Sequence, residues 1–160
     1  MEKSVRKKYD SSQEVEVKSN YAGKLLYESK SGLLVIWEEI GDINYMTIGD
    51  LKEMVATQRT FFKNNWVVIN DDEADDIYHF LRVDDCYKNN IIVEQFIRSF
   101  KNMKASEIKK KLEGISDSLK NSIAQAVLIE YQDGRIDSLS KIKTLEKYLN
   151  TSIISNEEET

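Results

Sequence analysis

The stretch from Thr47 to Ile69 constrains the fold more than any other part of this chain. Leu51, Met54, Val55, Gln58, Phe61 and Phe62 lie at offsets of three, four, seven, ten and eleven from Leu51. Those offsets trace one face of a 3.6-residue period, with only Gln58 polar. Lys52, Glu53, Thr57, Arg59 and Lys63 take the other faces. Thr47 suits the N-cap, and Asp50 stands in the capping-box position, although it is shorter than the usual Glu or Gln. The spacing predicts a single amphipathic helix running to Lys63. Asn64-Asn65 can end it, because asparagine tolerates the left-handed conformation. Trp66-Val67-Val68-Ile69 is too short for a helix and rich in β-branched residues, so it reads as a buried strand. Phe61, Phe62 and Trp66 could form an aromatic platform for bases or a partner. They sit in phase with the aliphatic stripe, however, and that favours core.

The sequence before Thr47 is β-like. Glu14-Val15-Glu16-Val17-Lys18 alternates strictly, as a half-exposed strand does. Lys24–Glu28 and Leu33–Trp37 follow as two more strands, and Ile43–Met46 as a fourth. The connections at residues 19–23, 29–32 and 41–42 are short, so hairpins are the natural links. The result is a three- or four-stranded antiparallel sheet, open or closed as a small barrel, with its apolar face on the Leu51–Phe62 stripe. After Ile69 the pattern turns helical. Asn70 or Asp71 can cap a helix with Asp72, Glu73, Asp75 and Asp76 in its first turn and Ile77, Phe80 and Leu81 on its apolar face. Ile92, Val93, Phe96, Ile97 and Phe100 mark another helix. A short one follows to Leu112, stopped by Gly114. Ser116 caps the next, with Leu119, Ile123, Ala126, Val127 and Glu130 on one side and Gly134 at its end. Asp137 or Ser138 caps the last, striped by Leu139, Ile142, Leu145, Tyr148 and Leu149.

The fold class expected is therefore α+β: a small antiparallel N-terminal sheet packed on an amphipathic helix, then a mostly helical C-terminal part. The divisions expected are a basic flexible arm at 1–12, an α+β core at 13–100, a helical subdomain at 101–151 and an acidic tail at 152–160. The arm and tail carry too little apolar surface to offset backbone ordering, so both are expected to be mobile in the isolated protein and to touch other chains in an assembly.

Chemistry is sparse. The chain has 160 residues, a net charge of −5, one Cys and one His. One cysteine forms no internal disulfide, and one Cys with one His does not make the usual zinc sets. Cys86 and His79 are the only nucleophile-and-base pair. On one helix they would stand about 10 Å apart, and Asp84-Asp85 would raise the thiol pKa. The acidic cluster at 72–76 lacks the ligand alternation and central glycine of a calcium loop, and carboxylates suit a helix N-terminus anyway. Gly49 stands alone, so there is no phosphate loop. No catalytic, cofactor-binding or metal-binding residues are expected, and the protein is read as a non-enzyme without cofactors. No run approaches the ~20 apolar residues of a membrane span, and no signal-peptide core is evident. Assembly in the cytosol follows as the expectation. The candidate partner-binding residues are Arg6, Lys7 and Lys8 in the arm and the Lys109-Lys110-Lys111 run, which a solvated helix face would also explain.

Two stretches carry a resemblance. Val17-Lys18-Ser19-Asn20, Gly23-Lys24-Leu25, Tyr27, Trp37, Gly41-Asp42, Met46-Thr47, Leu51, Phe61-Phe62 and Trp66 form the first. The second is Gly134, Ile136-Asp137-Ser138, Ile142 and Leu145-Glu146. Together they are similar to small uncharacterised proteins of tailed bacteriophages that sit among virion structural genes. The resemblance implies a virion component, at the head or the head–tail junction. Its partners would be other virion subunits in a homo-oligomeric ring or multi-copy assembly, and it transfers no catalytic residue. The alternative, of another class, is a phage-type regulatory module whose basic arm or Lys109–Lys111 helix engages nucleic acid or a host polymerase.

Overall fold

The computed structural model describes residues 8–154. The chain divides into two compact units between Asn90 and Ile91. This boundary lies ahead of the expected one at 101–105. The helix Val93–Phe100 belongs with the helices that follow it, because its Val93, Phe96 and Phe100 are buried and it packs on the long helix of the second unit.

The first unit holds five strands: β1 (Glu14–Ser19), β2 (Leu25–Glu28), β3 (Leu34–Trp37), β4 (Ile43–Thr47) and β5 (Val67–Ile69). Of the hairpin links expected between successive strands, only β2-β3 forms a paired hairpin. One antiparallel sheet has the order β4-β1-β5, and β2-β3 is a separate hairpin. Strand β1 pairs Val17 with Asn44 on one side and with Ile69 on the other. Alternation then sets the faces, with Val15, Val17 and Ser19 turned inward and Glu14 exposed. The hairpin is tied to this sheet by Trp37, which is fully buried and whose indole Nε1 donates to the Val17 carbonyl at 3.0 Å. Asn44 Nδ2 donates to the Ile36 carbonyl at 2.7 Å and sets β4 beside β3.

The capping box forms as the sequence predicts. Helix α1 (Ile48–Thr57) starts with Asp50 N donating to Thr47 Oγ1 at 3.0 Å and Thr47 N donating to Asp50 Oδ2 at 2.9 Å. The helix does not continue to Lys63. It ends at Gln58, whose side chain reaches Glu28 O at 2.9 Å, and a separate short helix, α2 (Thr60–Lys63), follows. The break re-aims Phe61 edge-on to both Tyr27 and Trp66, with centroids 5.5 Å apart in each case. No proline or glycine marks it, because packing and not local propensity produces it. Asn65 then takes the left-handed conformation at φ 54°. Phe61, Phe62 and, from β5, Val67 and Ile69 join one core with Val15, Val17, Leu25, Tyr27, Met46, Leu51, Met54 and Ile77. The aromatics are core, with Trp66 half-buried at its margin.

The described part of the expected arm is docked. Tyr9 packs edge-on to Phe80 with centroids 5.3 Å apart. Ser11 and Gln13 supply carbonyls to Gly49 N and Ile48 N, each at 2.9 Å. These are orphan donors of the first turn of α1, and buried backbone donors require partners. The approach is close: a Cβ on Gly49 would stand 3.2 Å from Ser11 O. Isolated sequence reading missed this strap because its apolar content is a single tyrosine.

Helix α3 (Ala74–Leu81) ends at Arg82 with φ 62°, and a 3₁₀ turn at Asp84–Tyr87 closes the unit. The second unit contains α4 (Val93–Phe100), α5 (Ala105–Leu112), α6 (Asp117–Gln132) and α7 (Leu139–Leu149). Ser116 and Ser138 cap α6 and α7 through Leu119 N and Lys141 N. Gly114 and Gly134 take positive φ after α5 and α6. Ile108, Leu112, Leu119, Ile123, Val127, Ile142, Leu145 and Leu149 are buried, while Leu139 at the start of α7 is 48% exposed and leaves the predicted stripe. Residues 152–154 are not a frayed tail. Glu146 Oε2 accepts from Ile153 N at 2.6 Å and Ile154 N at 3.2 Å, and Ile153 is buried.

Candidate interaction surfaces

Of the candidate partner-binding residues, Arg6 and Lys7 lie outside the described residues, and Lys8 is exposed at their start. Lys109, Lys110 and Lys111 occupy the exposed last turn of α5, beside the buried Ile108 and Leu112. Cations there meet the negative end of the helix dipole, which accounts for their stability without a ligand. No ion pair holds any of the three among the described residues, so their charge is available to a partner. The structure does not bring Lys8 and the triad together in one unit.

The acidic stretch is spent locally. Asp71 Oδ1 accepts from Glu73 N at 2.8 Å, and Asp75 and Asp76 fill the first turn of α3. Among the described residues no three His, Cys, Asp or Glu side chains gather as a metal ion would require. His79 Nδ1 lies 3.3 Å from Asp84 Oδ2, and this contact holds the Asp84 carboxyl below its usual range. Cys86 is half-buried in the 3₁₀ turn, and its carbonyl accepts from Asn65 Nδ2 at 2.8 Å. The one histidine is thus engaged with an aspartate. No helix of the described residues is long and apolar enough to cross a membrane. A groove of about 390 Å³ runs between the start of α5 and α7, lined by Met103, Lys104, Ile108, Lys141 and Thr144.

The strand edges differ from one another in a way the sequence did not announce. On β5, the Val67 carbonyl and the Ile69 amide point away from β1. Tyr87 Oη donates to the first, and Tyr78 Oη accepts from the second at 2.8 Å. The two rings stack at 3.9 Å with 10° between planes. Burial pushes both phenols above their ordinary value. Together they seal that edge against strand addition. The outward faces of the other strands expose apolar side chains: Leu26 is 50% exposed, Leu34 53%, Ile43 42% and Tyr45 65%. Alternation predicts that these positions face outward, but which strands stand at an edge depends on tertiary pairing. Compared with family models, with curated proteins and with solved structures, the chain shows no match.

Proposed function

We propose that the protein is a non-enzymatic structural or assembly component of a tailed-phage virion, at the head or the head–tail junction, acting through protein–protein contacts. The observation that carries the contact role is the set of outward apolar side chains on the strands, Leu26, Leu34, Ile43 and Tyr45. Leu26 and Leu34 share the outer face of the β2-β3 hairpin, and Ile43 and Tyr45 share one face of β4; exposed apolar surface gathered on a sheet face is the kind a partner covers, whereas solitary apolar residues need no explanation. The phage assignment itself rests on the sequence resemblance. Its partners on this reading are other virion subunits in a multi-copy assembly put together in the host cytoplasm. The test is quantitative mass spectrometry of purified particles. A copy number matching a symmetric ring supports the reading, and absence from particles ends it.

A second reading is favoured by the exposed Lys109–Lys111 turn, which no ion pair holds among the described residues. There the chain is a regulatory module whose basic helix engages nucleic acid or a host polymerase. Early expression, absence from particles and a steep loss of nucleic-acid binding with added salt would select it. Replacing the three lysines with Gln should then reduce the salt slope.

A further inference from the structure

We propose that two copies of the chain pair antiparallel through strand β2 about a two-fold axis at Leu26, joining their hairpins into one four-stranded sheet. The inference deepens the assembly reading by naming one contact surface and its occupant.

The argument begins with the edge. Ser29 N donates to the Leu33 carbonyl at 2.8 Å, and β2 and β3 pair Tyr27 with Val35 and Leu25 with Trp37. Antiparallel pairs alternate, so the peptide groups of Leu25 and Tyr27 face β3 and those of Leu26 and Glu28 face the other way. Gln58 Nε2 donating to Glu28 O agrees with that direction. Strand β2 has only β3 as a neighbour. The β5 edge is closed by Tyr78 and Tyr87, and β4 is set against β3 by Asn44. Among the described residues, the outward N–H and C=O of Leu26, the central residue of β2, meet no other strand; those of Tyr45 on β4 are likewise without a strand partner.

The side chains then specify a second copy of the same strand. Lys24, Leu26 and Glu28 are exposed, whereas Leu25 and Tyr27 are buried. Antiparallel self-pairing centred on Leu26 sets Leu26 opposite Leu26 and Lys24 opposite Glu28 of the second copy, twice by symmetry. An isologous interface needs this self-complementarity, and opposite charges directly across a sheet are favourable where like charges are not. Ile36 lies opposite Leu26 on β3. The outward face would therefore carry an apolar row Ile36, Leu26, Leu26, Ile36 across the four strands. Lys24 of each copy would sit between its own Glu38, now 3.9 Å away, and Glu28 of the other. The Glu28 carbonyl keeps its bond to Gln58, because a carbonyl accepts two.

Sedimentation equilibrium of the full chain tests the pairing. The parent protein is expected to be a reversible dimer. Lys24→Glu and Glu28→Lys each set like charges opposite one another and should weaken it on the order of tenfold. Mixing the two variants, or combining them as K24E/E28K, should restore it. A protein that stays monomeric to about 1 mM overturns the proposal, as does a dimer indifferent to the single variants or not restored by mixing. Either result leaves the particle measurement to decide the virion reading separately.

Discussion

Asn65 shows how one residue can hold a corner of the structure in two ways. Its backbone is left-handed at φ 54°, a conformation that costs most L-residues about 1–2 kcal/mol and asparagine less. Its side-chain amide is also spent, donating to Cys86 O and fastening the 3₁₀ turn to the corner between α2 and β5. Asn65→Gly keeps the conformation and loses the hydrogen bond, at a cost of about 1 kcal/mol. Asn65→Ala loses both and should cost about 2–3 kcal/mol. Urea denaturation followed by tryptophan fluorescence checks the ordering, because Trp66 is the next residue. Equal costs for the two variants would mean that the left-handed backbone contributes nothing.

The N-terminal strap and the β5 edge carry the main consequences among the elements. Residues 1–12 read in sequence as an arm mobile in the isolated protein, yet Ser11 holds the Gly49 amide and Tyr9 covers Phe80. Deleting residues 1–12 should therefore lower the melting temperature, by several degrees for a loss of about 1–2 kcal/mol. A truncated chain as stable as the full one would show that water replaces the strap without loss. The tyrosine pair makes a pH prediction. Tyr78 and Tyr87 have phenols raised by burial, so both are neutral in the fold. In the unfolded chain tyrosine ionises near pH 10. Their stabilising contribution is then complete below about pH 10 and is lost as pH rises beyond it. Urea midpoints should fall steeply as the pH rises above about 10. Tyr78→Phe should flatten that dependence while costing about 1–3 kcal/mol at neutral pH, since the Ile69 amide loses its acceptor.

For the molecule as a whole, the two units have separate buried interiors and distinct optical reporters. Both tryptophans, Trp37 and Trp66, belong to the first unit, and the longest helix, α6, belongs to the second. Leu119 is fully buried in α6. Leu119→Ala should cost about 2–5 kcal/mol and lower the circular-dichroism midpoint more than the tryptophan midpoint. Phe62→Ala in the first core, at about 3–5 kcal/mol, should do the reverse. If both midpoints move together in both variants, the units unfold as one cooperative body.

The sequence alone determined whatever depends on neighbours within a turn or two. The Thr47–Asp50 capping box, the serine caps at 116 and 138, the glycine stops at 114 and 134 and the left-handed Asn65 were all legible, because a cap or stop is a local hydrogen-bonding and steric problem. Strand alternation likewise fixed that Lys24, Leu26 and Glu28 share a face. Tertiary structure decided the rest. Strand β1 took β4 and β5 as partners and left β2 to an edge, since pairing is chosen by which apolar faces can be buried together and by the Trp37 bond to Val17. Packing broke the predicted helix at Gln58 and drew Tyr9–Gln13 onto α1, where the helix start supplied donors that had to be satisfied. The candidate lysines were legible as charge and their exposure could be anticipated. The open β2 edge was not, because an edge exists only once every other strand has found its place.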